Sequence, residues 1–148
     1  MKKILLCILI SFLAANSKAQ KMSFDIIGIA PDFNYTTISD YENQKVANNA
    51  IRIKVDTKRK NYQIYFRSDG PIKTSSGQSI PAEKFSIRIN NTIPLIPLSA
   101  TNNQHLLSNV KKDKDEEIHF LDFIVAPLFF DYDPGSYVVN ILFTLTSD

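Results

Sequence analysis

The feature that most restricts the fold is a strict two-residue alternation near the end of the chain. Over residues 136–146, Tyr137, Val139, Ile141, Phe143 and Leu145 fall on one side of an extended backbone, opposite Ser136, Val138, Asn140, Leu142, Thr144 and Thr146. A helix repeats every 3.6 residues and would scatter these side chains around its circumference; a strand gathers them on one face. The same period runs from Ile118 to Ala126, with His119, Leu121, Phe123 and Val125 opposed to Ile118, Phe120, Asp122 and Ile124. Asp131-Tyr132-Asp133-Pro134-Gly135-Ser136 has turn composition and separates the two runs.

Upstream the pattern recurs in shorter pieces. Phe24 to Ile29 predicts a first strand, stopped before Pro31, which lacks a ladder donor. The stretch from Asp32 to Asn49 is polar, with Tyr35, Ile38 and Tyr41 as isolated anchors. Ile51, Ile53 and Val55 alternate with Arg52, Lys54 and Asp56; after the charged turn Thr57-Lys58-Arg59-Lys60-Asn61, Tyr62, Ile64 and Phe66 alternate with Gln63, Tyr65 and Arg67. This pair predicts a hairpin, ended by Ser68-Asp69-Gly70-Pro71. Phe85, Ile87 and Ile89 share a face of the next strand, and Pro94 and Pro97 make 93–98 an edge crossing or loop. From Thr101 to Glu117 the chain is hydrophilic apart from Leu106, Leu107 and Val110, and its Lys111-to-Glu117 charge run reads as a solvated loop or at most a short helix. About seven strands and no convincing helix predict an all-β fold, an immunoglobulin-like antiparallel β-sandwich. Its expected core contains Ile53, Ile64, Phe66, Phe85, Ile87, Phe123, Val139, Ile141 and Phe143.

The beginning of the chain has a different character. Lys2 and Lys3, an apolar run from Ile4 to Ala15 and Ser17-Lys18-Ala19 have the order of a secretory leader, with cleavage before Gln20. The 148 residues thus divide into a signal peptide over 1–19 and one domain over 20–148. The run is too short for a membrane span, so no transmembrane anchor is expected in the mature chain. The Met-Lys-Lys start resembles bacterial leaders, and the expected location is secreted: periplasm, cell surface or extracellular medium. Lys2, Lys3 and Lys18 are three of the 17 Lys and Arg residues, so 14 bases face 15 acids in the mature domain. That balance speaks against nucleic acid as a partner. The only cysteine, Cys7, leaves with the leader, so packing and strand pairing must hold the fold.

No residue is assigned a catalytic, cofactor-binding or metal role, no cofactor is expected, and the chain reads as a non-enzyme. His105 lies in a polar loop and His119 at the start of an apolar strand, without metal-ligand spacing. No serine stands in a Gly-x-Ser-x-Gly elbow, and Gly28, Gly70, Gly77 and Gly135 are too dispersed to cradle a phosphate. Asp131 and Asp133 flank Tyr132 and are structural turn residues, with Ca²⁺ binding the alternative if another loop supplied further oxygens. Asp113, Asp115, Glu116 and Glu117 read as a solvated face. Tyr35, Tyr41, Tyr65 and Tyr132 can cover a sheet edge or stack on a sugar or partner. Arg52, Lys54, Arg67 and Arg88 line outward strand positions, and Asn34-Tyr35-Thr36 and Asn90-Asn91-Thr92 fit the N-glycosylation pattern.

Three segments carry a resemblance: Asn61-Tyr62-Gln63-Ile64; Ser79-Ile80-Pro81 leading into Phe85-Ser86-Ile87-Arg88; and Pro134-Gly135-Ser136-Tyr137 followed by Phe143-Thr144-Leu145-Thr146. Together they resemble small secreted, pilin-like surface β-sandwich proteins of bacteria, in particular the spore-coat-protein-U-like and WxL-like groups, over about residues 22–148. The resemblance implies an immunoglobulin-like sandwich used in cell-surface structure or adhesion, with no transferable active site. The chain departs from coat-U-like subunits in having no mature cysteine and from WxL domains in having no tryptophan. The function expected is that of an exported structural or adhesion protein acting through strand or surface contacts, with another copy or another surface protein as partner. The alternative is a non-catalytic module recognising carbohydrate or peptide; a small hydrolase is least supported. Val138 and Leu142, and Ile26 and Ile27 at the other terminus, give the terminal strands apolar side chains beyond the core face, suited to assembly unless the 94–98 segment buries them.

Overall fold

Strands with one apolar face bury it most simply against a second sheet, and this chain does so. The computed structural model describes residues 22–28, 33, 35–57, 60–73, 77–90, 92, 94–109, 116–132 and 137–147. Within them run β1 (Ser23–Gly28), the one-turn helix α1 (Ile38–Glu42), β2 (Lys45–Asp56), β3 (Tyr62–Ser68), β4 (Ile72–Lys73), β5 (Ser79–Ile80), a 3-10 turn over Ala82–Lys84, β6 (Phe85–Ile89), β7 (Ile96–Pro97), β8 (Gln104–Asn109), β9 (Glu116–Val125) and β10 (Ile141–Ser147). A five-stranded sheet has the order β1-β2-β9-β6-β7 and a three-stranded sheet the order β10-β3-β8; β4 and β5 form a small ribbon. All pairings are antiparallel. This is the immunoglobulin-like sandwich expected from the alternation.

The core lies between the sheets. Ile53, Ile64, Phe66 and Ile87 are fully enclosed, and Phe85 and Phe123 nearly so, their rings stacked with centroids 6.1 Å apart. Val139, Ile141 and Phe143, expected in the same core, are only half-buried. Ile141 and Phe143 lie on β10, which among the described residues is a sheet edge with a neighbouring strand on one side alone, and Val139 lies just before it.

Several connections differ from expectation. β2 and β3 are not a hairpin: β2 pairs with β1 and β9, and β3 with β10 and β8. The chain crosses between sheets after Thr57, which is wholly buried and whose carbonyl accepts the Lys60 N–H at 2.9 Å. Residues 58–59 lie outside the described set. Part of the hydrophilic tract is a strand, β8, anchored by buried Leu106. The expected last strand is shorter: Val138 makes one isolated bridge to Lys73 before β10 begins. The 96–97 segment is an edge strand, a place where Pro97 is tolerated.

β2 starts six residues earlier than its alternation suggests, because a bulge interrupts the pattern. Ala47 pairs with Phe123 and Ile51 with Leu121, so residues 48–50 face the single residue Asp122. Asn49 takes the left-handed φ of 53°, and its N–H donates to Asp122 Oδ1 at 2.9 Å. Arg88 Nε donates to Asp122 Oδ2 at 2.7 Å. The fully buried carboxylate is thus paired with a cation and fixes the bulge.

Candidate functional site: the open side of the sandwich

Stacking two sheets of unequal width leaves one pair of edges unmatched. β7 of the wide sheet lies against β8 of the narrow one. The Tyr62 hydroxyl of β3 contacts Glu117 and His119 of β9, which places the middle strands over each other. The β1 and β10 edges therefore share the opposite side. Among the described residues β1 pairs only with β2, and β10 only with β3.

Apolar side chains on this side lack full cover. Ile26 lies across from wholly buried Ile53, on the same face, yet is 43% exposed. Met22 and Phe24 are half-buried, as are Ile141, Phe143 and Leu145 on the inner face of β10; Phe143 packs on Phe66 with ring centroids 6.1 Å apart. Val138 and Leu142 are exposed, so the 94–98 segment does not bury them. Two edges without a further partner strand among the described residues, flanking a row of half-covered apolar positions, can accept another strand: such edges offer backbone hydrogen bonds, and alternate side chains select the strand.

A polar cluster lies at one end. The Tyr62 hydroxyl donates to Glu117 Oε2 at 2.5 Å, and Asn109 Nδ2 donates to the same oxygen. The single hydroxyl proton being so placed, His119 Nε2, 2.7 Å from the Tyr62 oxygen, is the donor in that contact. Burial, then Glu117, pushes the Tyr62 hydroxyl well above its usual range. Burial lowers the His119 pKa, with Glu117 opposing. These groups clamp β3, β8 and β9 together.

The other end is aromatic. Tyr35 and Tyr41 have ring centroids 5.1 Å apart, and Tyr41 stacks on Phe130 at 5.5 Å. The Tyr41 carbonyl accepts the Phe129 N–H at 2.9 Å. Lys45 Nζ lies 5.6 Å from the Tyr35 ring centre and is ion-paired with Asp40, which also accepts the Thr37 N–H at 2.8 Å. Lys45 first, then the Thr37 backbone, holds the Asp40 carboxyl far below the ordinary carboxylate range. Burial, then Tyr137, pushes Tyr35 up to about 12.

The other residues singled out from the sequence are dispersed. His105 is exposed on β8, its Nε2 2.8 Å from Ser108 Oγ and its ring edge-on to Tyr65. Lys54 pairs with Glu116 at 2.8 Å across β2 and β9. Asn90 is exposed in a turn; Asn34, Asn91 and Asp133 lie outside the described residues. Among the described residues no three His, Cys, Asp or Glu side chains come together, and no helix is long and apolar enough to cross a membrane. Sequence reasoning singled out Tyr35, Tyr41 and Tyr132 but missed Phe129 and Phe130. Their signal is two adjacent phenylalanines, beyond the strand alternation, just before a polar turn.

No family model matches the chain, and no curated protein is similar to it in sequence. Similarity in structure is found. The crystal structure of the P pilus rod subunit PapA superposes with a TM-score of 0.52 at 12% identity, covering 84% of this chain and 99% of that one. A chain in a structure of a chaperone-usher pilus, solved to explain rod uncoiling, gives 0.50 at 13% identity over 81% and 82% of the two chains. The likeness is thus to pilus subunits and reaches neither the coat-U-like nor the WxL-like group. At these identities the comparison establishes one thing: the chain has a pilin-like β-sandwich fold.

Proposed function

We propose that the chain is an exported bacterial cell-surface structural protein whose subunits join by strand addition at the open side between β1 and β10. The observation that carries this reading is the half-covered inner face of β10, set beside the fully enclosed equivalent positions of β3. The fold shared with pilus subunits supports it. Both histidines are tied into structural contacts, His119 to Tyr62 and His105 to Ser108, in keeping with a non-catalytic role. The partner is another copy or another surface protein.

The test is sedimentation velocity of the mature chain, begun at Gln20, across a wide concentration range. Higher-order species should grow with concentration, and Ile26→Lys should return the protein to monomer without altering its melting temperature. A wild-type chain that stays monomeric, and does not bind a synthetic strand with alternating apolar residues, overturns strand addition. A recognition role for carbohydrate or peptide has a separate support, the exposed aromatic end, and is compatible with subunits joined along their edges.

A further inference from the structure

Strand alternation sends Ile27, Arg52 and Phe120 to the outward face of the wide sheet in one row, since Ile27 pairs with Arg52 and Arg52 with Phe120. The next row holds Asp25, Lys54 and Ile118. Ile27, Ile118 and Phe120 are 56%, 42% and 43% exposed. Single exposed apolar residues are ordinary on a surface; neighbouring ones mark a contact. Arg52 lies between two of them, and its Nε is buried without a hydrogen-bond acceptor. An orphaned donor of this kind is costly, and an incoming acceptor relieves it. Asp25 is exposed opposite Lys54, but Lys54 is paired with Glu116 at 2.8 Å. Among the described residues neither Arg52 nor Asp25 makes an ion pair.

We propose that this outward face binds the same face of a second copy, and that the contact joins arrays of the protein side by side rather than free chains in pairs. A partner here must supply apolar side chains for the patch, a carboxylate for Arg52 and a cation for Asp25. The face itself carries all three. Two copies related by a two-fold axis therefore satisfy each other reciprocally, Arg52 of either copy meeting Asp25 of the other. Arginine suits such a contact, being weakly hydrated and able to grip a carboxylate through two parallel hydrogen bonds. The size of the patch sets the strength. Three partly exposed apolar residues and their flanking charges cover less than the about 800 Å² per partner that a stable complex buries, so free chains stay apart. Repetition changes that, because each contact after the first forms at a high effective concentration. The face is distinct from the strand-accepting side, which uses backbone edges and the inward Ile26. The assignment holds however the copies come to be arrayed.

The test is light scattering from beads that display the full mature chain through a C-terminal tag. Every displayed chain carries Ile26→Lys, which removes an apolar side chain that strand addition needs and leaves the outward face intact. These beads should cluster. Adding Arg52→Asp or Asp25→Arg should abolish clustering at unchanged melting temperature, and Tyr65→Ala, on the narrow sheet, should leave it unaltered. Asp25 is exposed on an edge strand, so Asp25→Arg tests the pair even if Arg52→Asp lowers the melting temperature. Arg52→Asp beads mixed with Asp25→Arg beads should cluster again, since one copy then offers two acids and the other two bases. The proposal is overturned if the Ile26→Lys beads stay dispersed, if clustering survives both charge reversals, or if the mixed beads stay apart. Clustering by wild-type beads that Ile26→Lys abolishes overturns it and leaves strand addition standing. Clustering by the Ile26→Lys beads supports it even where the wild-type chain forms no polymer in solution.

Discussion

Asp122 shows how much one side chain can decide. It is wholly buried, yet it accepts from Arg88 and from the Asn49 backbone, so its charge is matched and the β2 bulge is held. Replacing it with alanine removes the buried acceptor of the Arg88 Nε–H and of the bulge N–H. Asp122→Ala should therefore cost roughly 3 to 5 kcal/mol in urea unfolding, the usual penalty for breaking one side of a buried ion pair. Asp122→Asn, which keeps an acceptor but not the charge, should cost less. His119 makes a prediction of the opposite kind, in pH. Burial lowers its folded pKa below the ordinary 6.5, so the unfolded chain takes up the proton first as pH falls. Stability should be level above about pH 6.5 and decline from there down to the folded pKa. His119→Gln, which can still donate to Tyr62, should flatten the decline in denaturation midpoints measured between pH 7 and 5.

At the scale of elements, β3 and β10 are a controlled comparison. They are paired neighbours with similar alternation, Ile64 and Phe66 on one and Phe143 and Leu145 on the other. Among the described residues β3 lies between two strands, and its apolar residues are sealed; β10 has one neighbour, and its residues are not. Phe66→Ala should consequently cost about 3 to 5 kcal/mol, lost transfer energy and cavity together. Phe143→Ala should cost about half as much in monomeric protein, by the same urea titration. Equal losses would show that the β10 side is closed. The elements hidden from sequence reasoning have identifiable causes. The bulge breaks the two-residue period through Val46 to Ala50, masking the first half of β2. β8 contributes one buried residue, Leu106, in a mostly polar stretch and owes its strand form to pairing with β3. α1 is only five residues long, too short for a helical period to appear.

For the whole molecule, export and assembly are the properties at issue. Intact-mass measurement of the secreted protein should find a chain beginning at Gln20; a product retaining Met1 to Ala19 would refute the leader assignment. A chain so processed would lose Cys7, its one cysteine, so no disulfide would hold any polymer it forms. What the sequence by itself determined is the part governed by near neighbours along the chain: a mainly β fold, the core-facing residues of β3, β6 and the second half of β2, and prolines kept to an edge. Tertiary structure alone decided which strands lie side by side. β2 and β3 carry the alternation of a hairpin, yet they belong to different sheets. The rings of Tyr35, Tyr41 and Phe130 meet across 95 residues of chain. Alternation is local and records which way a side chain points. How many strands flank it depends on distant segments, and that number separates the closed core at Phe66 from the open side at Phe143.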